Sequence, residues 1–252
     1  MTNYQDINSK TIDSWVEEGW QWGIPVSHET YEAARKGQWN VLLTPTKPVP
    51  HAWFPDLSGK KVLGLASGGG QQMPIFAALG ACCTVLDYSE KQLESERMVA
   101  QREGYNIEIV KADMTKPLPF EDETFDVIFH PVSNCYVEKV EPIFAEAYRV
   151  LKKGGVMLGG FDKDLMAIVD DEDQTKIRWS LPFNPLKNAE QMAYLESEDA
   201  GVQFSHTLEE QIGGQLKAGF TLTDLYEDTL GEGALHEMNI TTFFATRAVK
   251  AD

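Results

Sequence analysis

From Lys60 onward, short apolar runs alternate with stretches whose apolar positions recur at helical spacing. Residues 61–65, 82–86, 107–111, 125–129 and 156–161 read as strands. Most are continuously apolar, as strands covered by helices on both faces must be, so the pattern predicts parallel strands joined by crossover helices. Ser89-Glu90-Lys91-Gln92 has the form of a capping box, in which the Ser89 hydroxyl and the Gln92 amide satisfy free backbone donors, and Gly104 closes that helix. Val140, Ile143, Phe144, Ala147, Val150 and Leu151 share one helical face, with Gly154-Gly155 as the expected left-handed stop. After Phe161 the rhythm breaks, and residues 162–205 read as an insertion over the sheet. Thr207-Leu208-Glu209-Glu210 caps a further helix that ends near Gly219, despite Gly213-Gly214 inside it. Residues 220–226 and 240–246 then read as an antiparallel pair closing the sheet.

A chain of 252 residues is short for two ordinary domains. It divides into an N-terminal extension, 1–59, and one domain, 60–252, with the insertion at about 162–205. Hydrophobic residues make up 42% and charged residues 24%, as in a soluble globular protein, and no apolar run approaches a membrane span. The first residues lack a basic patch and an apolar core, so a cytoplasmic protein is expected. A formal net charge of -17 repels polyanions, which argues against nucleic acid as a partner. Cys82, Cys83 and Cys135 have no metal-ligand spacing, and His28, His51, His130, His206 and His236 are scattered singly. The acidic run at 170–173 lacks the glycine-punctuated spacing of a calcium loop and reads as a solvated turn, so no metal is expected.

The chemistry begins at VLGLASGGGQQMP, residues 62–74, a buried strand running into a glycine turn and a helix. Such a turn can offer backbone N–H groups and a helix N-terminus to the polar end of a ligand, or it can be only a tight turn. Its neighbours favour the first reading. Asp87 ends the second strand, where a carboxylate can accept from both hydroxyls of a ribose, and Asp113 ends the third, within reach of an adenine amino group. Three polar features at the carboxyl ends of successive strands converge on one crevice. A dinucleotide fingerprint needs glycine at position 73, where Met73 and Pro74 stand, so a nicotinamide-dependent oxidoreductase is disfavoured.

Together with ADMTKPLPFEDETFDVIF at 112–129 and EAYRVLKKGGVML at 146–158, these residues resemble the class I S-adenosylmethionine-dependent methyltransferases from about 60 through 162. The chain is most similar to the small-molecule branch that includes the ubiquinone/menaquinone C-methyltransferases. The resemblance implies an α/β fold, a doubly wound, mostly parallel seven-stranded Rossmann-like sheet with an antiparallel C-terminal pair. It implies S-adenosylmethionine as cofactor and a small-molecule acceptor. Ala66, Ser67 and Gly68 would line the methionyl group in a turn completed by Gly70, with Asp87 on the ribose and Asp113 near the adenine amino group. Tyr88 and Met114 would flank the adenine, unless they are core residues. The family's turn is an acid-x-Gly-x-Gly-x-Gly pattern; here Gly64 stands in place of the acid and Ala66 in place of the first glycine. Ser67, Gln71 and Gln72 are the candidates to replace the acid's support.

FHPVSNCY, residues 129–136, follows the fourth strand, where this fold brings an acceptor to the methyl group. It is not the Asn/Asp-Pro-Pro-aromatic signature of enzymes that methylate nucleic acid bases. Methyl transfer from a sulfonium rests mainly on positioning, and a base is needed only where the acceptor must lose a proton. His130 is the candidate base, the alternative being a histidine bonded to backbone or touching the cofactor. Asn134 and Tyr136 either orient the acceptor or are ordinary polar loop residues. Trp15, Trp20, Trp22, Trp39 and Trp53 precede the first strand, broken by Gly19, Gly23 and Gly37. They suit a lid over the ligands, with Trp22 toward the acceptor, or equally an extension packed on the sheet edge. Residues 44–50, TPTKPVP, read as a stiff extended strap. From another class, a non-catalytic module that binds S-adenosylmethionine or a nucleotide fits the same motifs.

Overall fold

The computed structural model describes residues 3–170 and 173–251, so Asp171 and Glu172 of the acidic run lie outside the described residues. The seven strands are β1 (Lys61–Leu65), β2 (Cys82–Asp87), β3 (Ile107–Lys111), β4 (Phe125–His130), β5 (Leu151–Asp162), β6 (Phe220–Asp228) and β7 (Phe243–Lys250). They form one sheet in the order β3-β2-β1-β4-β5-β7-β6. The first five are parallel, and β7 runs antiparallel to both β5 and β6. This is the doubly wound sheet with an antiparallel end that the resemblance implies. The chain winds outward in one direction from β1 and in the other from β4, which opens a crevice above their carboxyl ends.

The described helices are α1 (Tyr4–Glu17), α2 (His28–Arg35), α3 (Met73–Ala78), α4 (Glu90–Glu103), α5 (Glu141–Val150), α6 (Asp164–Ile168), α7 (Ala189–Ser197), α8 (Leu208–Ala218) and α9 (Gly233–Glu237). The sheet buries apolar side chains on both faces. Leu63, Leu65 and Ile128 meet Ile143, Phe144 and Ala147 of α5 on one side. On the other, Val62, Val85, Val127 and Phe129 meet Ile75 and Phe76 of α3, Leu93 of α4, and Leu43 and Trp53 of the N-terminal segment. Gly214 lets α8 approach α5, since a Cβ there would lie 2.9 Å from the Phe144 ring.

Several local expectations are corrected. Helix α5 ends at Val150, and Leu151 passes directly into β5, pairing with Phe125. Gly154, at φ 72°, and Gly155 instead absorb a register shift between β4 and β5; a Cβ on Gly155 would lie 2.8 Å from the Lys152 carbonyl oxygen. Ser89 caps α4 by accepting from the Gln92 N–H, but the reciprocal bond is absent, because the Ser89 N–H donates to Asp87 and the Gln92 amide donates to the Trp22 carbonyl. Strand β3 lies at the sheet edge, so its residues are half-buried or exposed and none is fully buried. Strand β7 starts at Phe243 rather than at residue 240 because the short helix α9 and the turn after it occupy the connection.

Residues 44–50 do not form an extended strap. Leu42 bridges Pro48 in antiparallel fashion, and the Val49 N–H donates to the Val41 carbonyl, so the segment doubles back. The Asp228 carboxylate lies inside this turn, accepting from the Thr44 hydroxyl, the Thr46 hydroxyl and N–H, and the Lys47 N–H. An anion that gathers backbone donors at one point favours a loop over the extended chain that the prolines suggest.

Candidate active site

The glycine turn is built against α4. Ala66 sits in the left-handed region at φ 49°, costing about 1 kcal/mol for a residue with a Cβ, and its N–H donates to the Leu86 carbonyl. The Gly68 N–H donates to Asp87 Oδ2 at 3.0 Å, and a Cβ at Gly68 would lie 2.6 Å from Gln92 Cβ. The Gly69 N–H donates to the Gln92 carbonyl, and the Gly70 N–H to Glu96 Oε1 at 2.8 Å.

The absent acid of the turn has a physical explanation. A Cβ at Gly64 would lie 2.9 Å from the Met73 sulfur, so Met73 fills the space that a larger side chain would enter. Glu96 of α4 supplies a buried carboxyl to the turn from the opposite side. It is 0% exposed, its Oε2 has no partner, and burial pushes its pKa up to about 8. Of the three replacements that sequence reading suggested, the Ser67 hydroxyl donates to Gln72 Oε1, while the Gln71 amide reaches the carbonyls of Gln21 and Ile24. Sequence reading missed Glu96, although a signal existed: it lies three residues from both Leu93 and Val99, on the apolar face of its helix.

A cavity of about 470 Å³ opens above the strand ends, within the range of small-molecule sites. Ala66, Ser67, Gly68, Asp87, Tyr88, Asp113 and Met114 line it together with Tyr136 and Trp22. Asp87 accepts from the Gly68 and Ser89 N–H groups, and burial, the larger effect, raises its pKa against those bonds. Asp113 Oδ1 accepts from both the N–H and the hydroxyl of Thr115, leaving Oδ2 for a ligand. The Tyr88 hydroxyl donates to Asp6 of α1, which lies across the same strand ends. Two carboxylates with lone pairs to spare and a turn whose Gly68 excludes a side chain fit a ribose, an adenine amino group and a methionyl chain. Among the described residues no His, Cys, Asp and Glu cluster is arranged to hold a metal ion.

Three expected site residues are not on the cavity wall. Gly70 is turned away from it, against Val99 of α4 and Pro25. His130 is 0% exposed, with Nδ1 2.9 Å from the Leu65 carbonyl and Nε2 2.9 Å from the Asn134 side-chain oxygen, and burial lowers its pKa. It has no free nitrogen to serve as a base, and it ties the end of β1 to the loop after β4. Asn134, also buried, connects His130 to Gln211 of α8 and does not face an acceptor.

Part of the wall comes from residues that sequence reading did not name for the site. Helix α1 supplies Gln5, Asn8, Ser9 and Ile12, and β5 ends in Asp162. The carboxylates on the wall are Asp87, Asp113, Asp162, Glu198 and Glu232, five in all, with no Lys, Arg or His among the described lining residues. Of the five tryptophans before β1, Trp20 and Trp22 line the cavity. Trp15 touches Trp20 and Tyr136. Trp39 stacks on His51, and Trp53 is buried with its indole donating to Asp224.

Comparison with known proteins agrees with this geometry. Residues 63–159 match the methyltransferase domain family. A methyltransferase of Bacillus subtilis strain 168 named YbaJ, itself uncharacterized, is 45% identical over 250 residues, covering 96% of this chain and 97% of its own. The demethylmenaquinone methyltransferase of Clavibacter sepedonicus is 38% identical over 101 residues, covering 39% of this chain and 40% of its own. Among solved structures, an S-adenosylmethionine-dependent methyltransferase of Mesorhizobium loti superposes with a TM-score of 0.62 at 18% identity, over 79% of this chain and 94% of that one. With the switch point between β1 and β4, the glycine turn and the acids at the ends of β2 and β3 in one cavity, this chain belongs to the class I S-adenosylmethionine-dependent methyltransferases.

Proposed function

We propose that the enzyme methylates a small molecule held beside S-adenosylmethionine in the cavity above the sheet. One observation carries this reading: the wall that holds Asp87 and Asp113 continues without a break to Trp179, Phe183 and Tyr194 of the 162–205 insertion. In this reading Ala66, Ser67 and Gly68 hold the methionyl end, Asp87 the ribose hydroxyls, and Asp113 the adenine amino group flanked by Tyr88 and Met114. Tyr136 and Trp22 face the acceptor, and the insertion selects it. When bound, the cofactor supplies an electrophilic methyl group on a sulfonium. The protein's part is to hold the acceptor in line and to exclude water.

The reading includes a moving cover made of residues up to about 37. Helix α1 is tied to the strand ends by polar bonds: the Ser9 hydroxyl donates to the Tyr88 carbonyl, and Asp13 accepts from the Ser89 hydroxyl and the Lys91 N–H. Polar bonds of this kind exchange with water at little cost, which suits a segment that opens. Trp39 and Trp53 belong to the fixed part, since both are packed against neighbours.

Thermal unfolding with ligands tests the reading. S-adenosylmethionine and S-adenosylhomocysteine are expected to raise the Tm and to protect the first 37 residues from limited proteolysis, while NAD and ATP do neither. Asp87→Ala is expected to weaken S-adenosylhomocysteine binding by roughly 1.5–3 kcal/mol, the range for hydrogen bonds to a charged group. Unchanged affinity in a folded Asp87→Ala protein would remove Asp87 from the site.

A further inference from the structure

Asp162 ends β5 and lines the cavity at 8% exposure, opposite Phe243 of β7 in the strand register. Its Oδ1 has no hydrogen-bond partner, and the bond that favours its charged form comes from its own N–H. Among the described residues, the groups around it supply no cation. Cys135 and Tyr136, from the loop after β4, and Asp164 of α6 are its titratable neighbours, and Asp164 in turn feels Glu210 and His206. The His206 Nε2 is held by the carbonyls of Asn134 and Val137. The adjacent Lys163 ammonium is turned to Glu227 and the Thr241 hydroxyl. Burial accordingly pushes Asp162 up to about 7.

A buried carboxylate without a cation either gives up its charge or is completed by a ligand that brings one. The rest of the cavity is made for the second outcome. Its other ionisable residues are also acids, with Glu198 and Glu232 exposed on the wall, so the local field attracts cations and opposes phosphates and carboxylates. Tyr136, Phe183, Phe204 and Phe243 offer aromatic surface, whose faces attract a desolvated cation, while Arg178 already lies over the rings of Trp179 and Tyr194.

We propose that Asp162 binds the nitrogen of an amine acceptor and takes its proton, so that the methyl group passes to nitrogen. The inference rests on the methyl-transfer reading above. The acceptor enters as an ammonium ion paired with the Asp162 carboxylate. One N–H proton moves to Asp162, leaving a neutral amine and a carboxylic acid. The nitrogen lone pair then forms the N–C bond as the C–S electron pair passes to sulfur, producing a methylated ammonium ion and a neutral thioether. Asp162 later releases its proton to water. A pKa near neutrality lets the carboxyl both take and release the proton at ordinary pH.

The test is binding to the full-length protein in the presence of saturating S-adenosylhomocysteine. The probes are benzylamine, 2-phenylethylamine and tryptamine, each compared with the alcohol and the carboxylate of the same skeleton. At least one amine is expected to raise the Tm beyond the S-adenosylhomocysteine increment and to bind ten-fold or more tightly than its alcohol, while the carboxylates do not bind. Asp162→Asn is expected to abolish the amine preference and to leave the S-adenosylhomocysteine increment intact. With methyl-labelled S-adenosylmethionine, label should appear on the nitrogen of the bound amine in wild type only. No amine preference in wild type, or an undiminished preference in Asp162→Asn, overturns the proposal. So does an Asp162→Asn protein that loses affinity for S-adenosylmethionine alone, which would assign Asp162 to the sulfonium. Absence of the S-adenosylhomocysteine increment in wild type would instead refute the cofactor reading on which the inference stands.

Discussion

Replacing Glu96 by glutamine should stabilise the protein at alkaline pH, although it removes a fully buried hydrogen-bonding acid. Glu96 Oε1 accepts from the Gly70 N–H, which a glutamine oxygen can also do. Oε2 has no partner, so an amide nitrogen there is no worse served than the oxygen it replaces. The difference lies in charge. Burial raises the Glu96 pKa from 4.5 to about 8, so between those values the unfolded chain has released the proton while the folded protein retains it. Stability from this group is complete below the unfolded pKa and is lost as pH rises to the folded one. At about 1.4 kcal/mol per pH unit, the interval sets a ceiling of roughly 5 kcal/mol. Local relaxation and water beside Oε2 relieve part of that, leaving about 2 kcal/mol in favour of Glu96→Gln at pH 8.5. For a chain of this length that is a Tm difference of roughly 4–8 °C. Urea and thermal unfolding of both proteins from pH 5 to pH 9 should give curves that nearly coincide at pH 5 and diverge steadily toward pH 8. A constant difference across that range, or a glutamine variant less stable at pH 8.5, would refute the burial argument.

The turn around Asp228 predicts the opposite sign. Asp228→Ala should cost about 3 kcal/mol at pH 7, because the carboxylate is 1% exposed and its loss strands the N–H groups of Thr46, Lys47 and Thr229. Burial pulls its pKa up, but the bonds from Thr46, Thr44 and Lys47 outweigh burial and hold it below the usual carboxylate value. The wild-type advantage in urea unfolding should therefore be full above the unfolded pKa of about 3.9 and shrink as pH falls through the lower folded value; a deficit independent of acid would count against this account. Gly64→Ala should cost roughly 1–2 kcal/mol through collision with Met73, and adding Met73→Val should recover part of that loss in the same assay. Strict additivity of the two substitutions would show that they do not share space.

Much of the sheet was legible because its strands are apolar over nearly their whole length, and Asp87 and Asp113 were legible because carboxylates at strand ends stand out against such runs. What escaped depends on which groups the fold brings opposite one another. His130 looks like a base in isolation, and the carbonyl of Leu65 with the Asn134 side chain turns it into a buried tie. Glu96 lies on the apolar face of its helix, but what it serves is visible only when the Gly70 N–H meets it from 26 positions away. Asp162 reads as the first residue of the insertion, and its character is set by Cys135 and Tyr136 of the loop after β4 and by Phe243 of β7, two separate parts of the chain. Prolines in 44–50 argue for extension, and a carboxylate more than 180 residues later bends the segment around itself.

The all-acid wall of the cavity also bears on how turnover ends. S-adenosylmethionine carries a net positive charge and S-adenosylhomocysteine carries none, so five carboxylates with no balancing base among the described lining residues distinguish reactant from spent cofactor by charge alone. At an effective dielectric constant near 20, one carboxylate about 8 Å from the sulfonium contributes on the order of 2 kcal/mol to that distinction. Enzymes of this chemistry with basic residues on the wall lack this bias. Here the spent cofactor is expected to be a weak product inhibitor, with a dissociation constant above that of S-adenosylmethionine. If nitrogen is the atom methylated, the positive charge stays behind on the methylated amine, and that product becomes the slower of the two to leave.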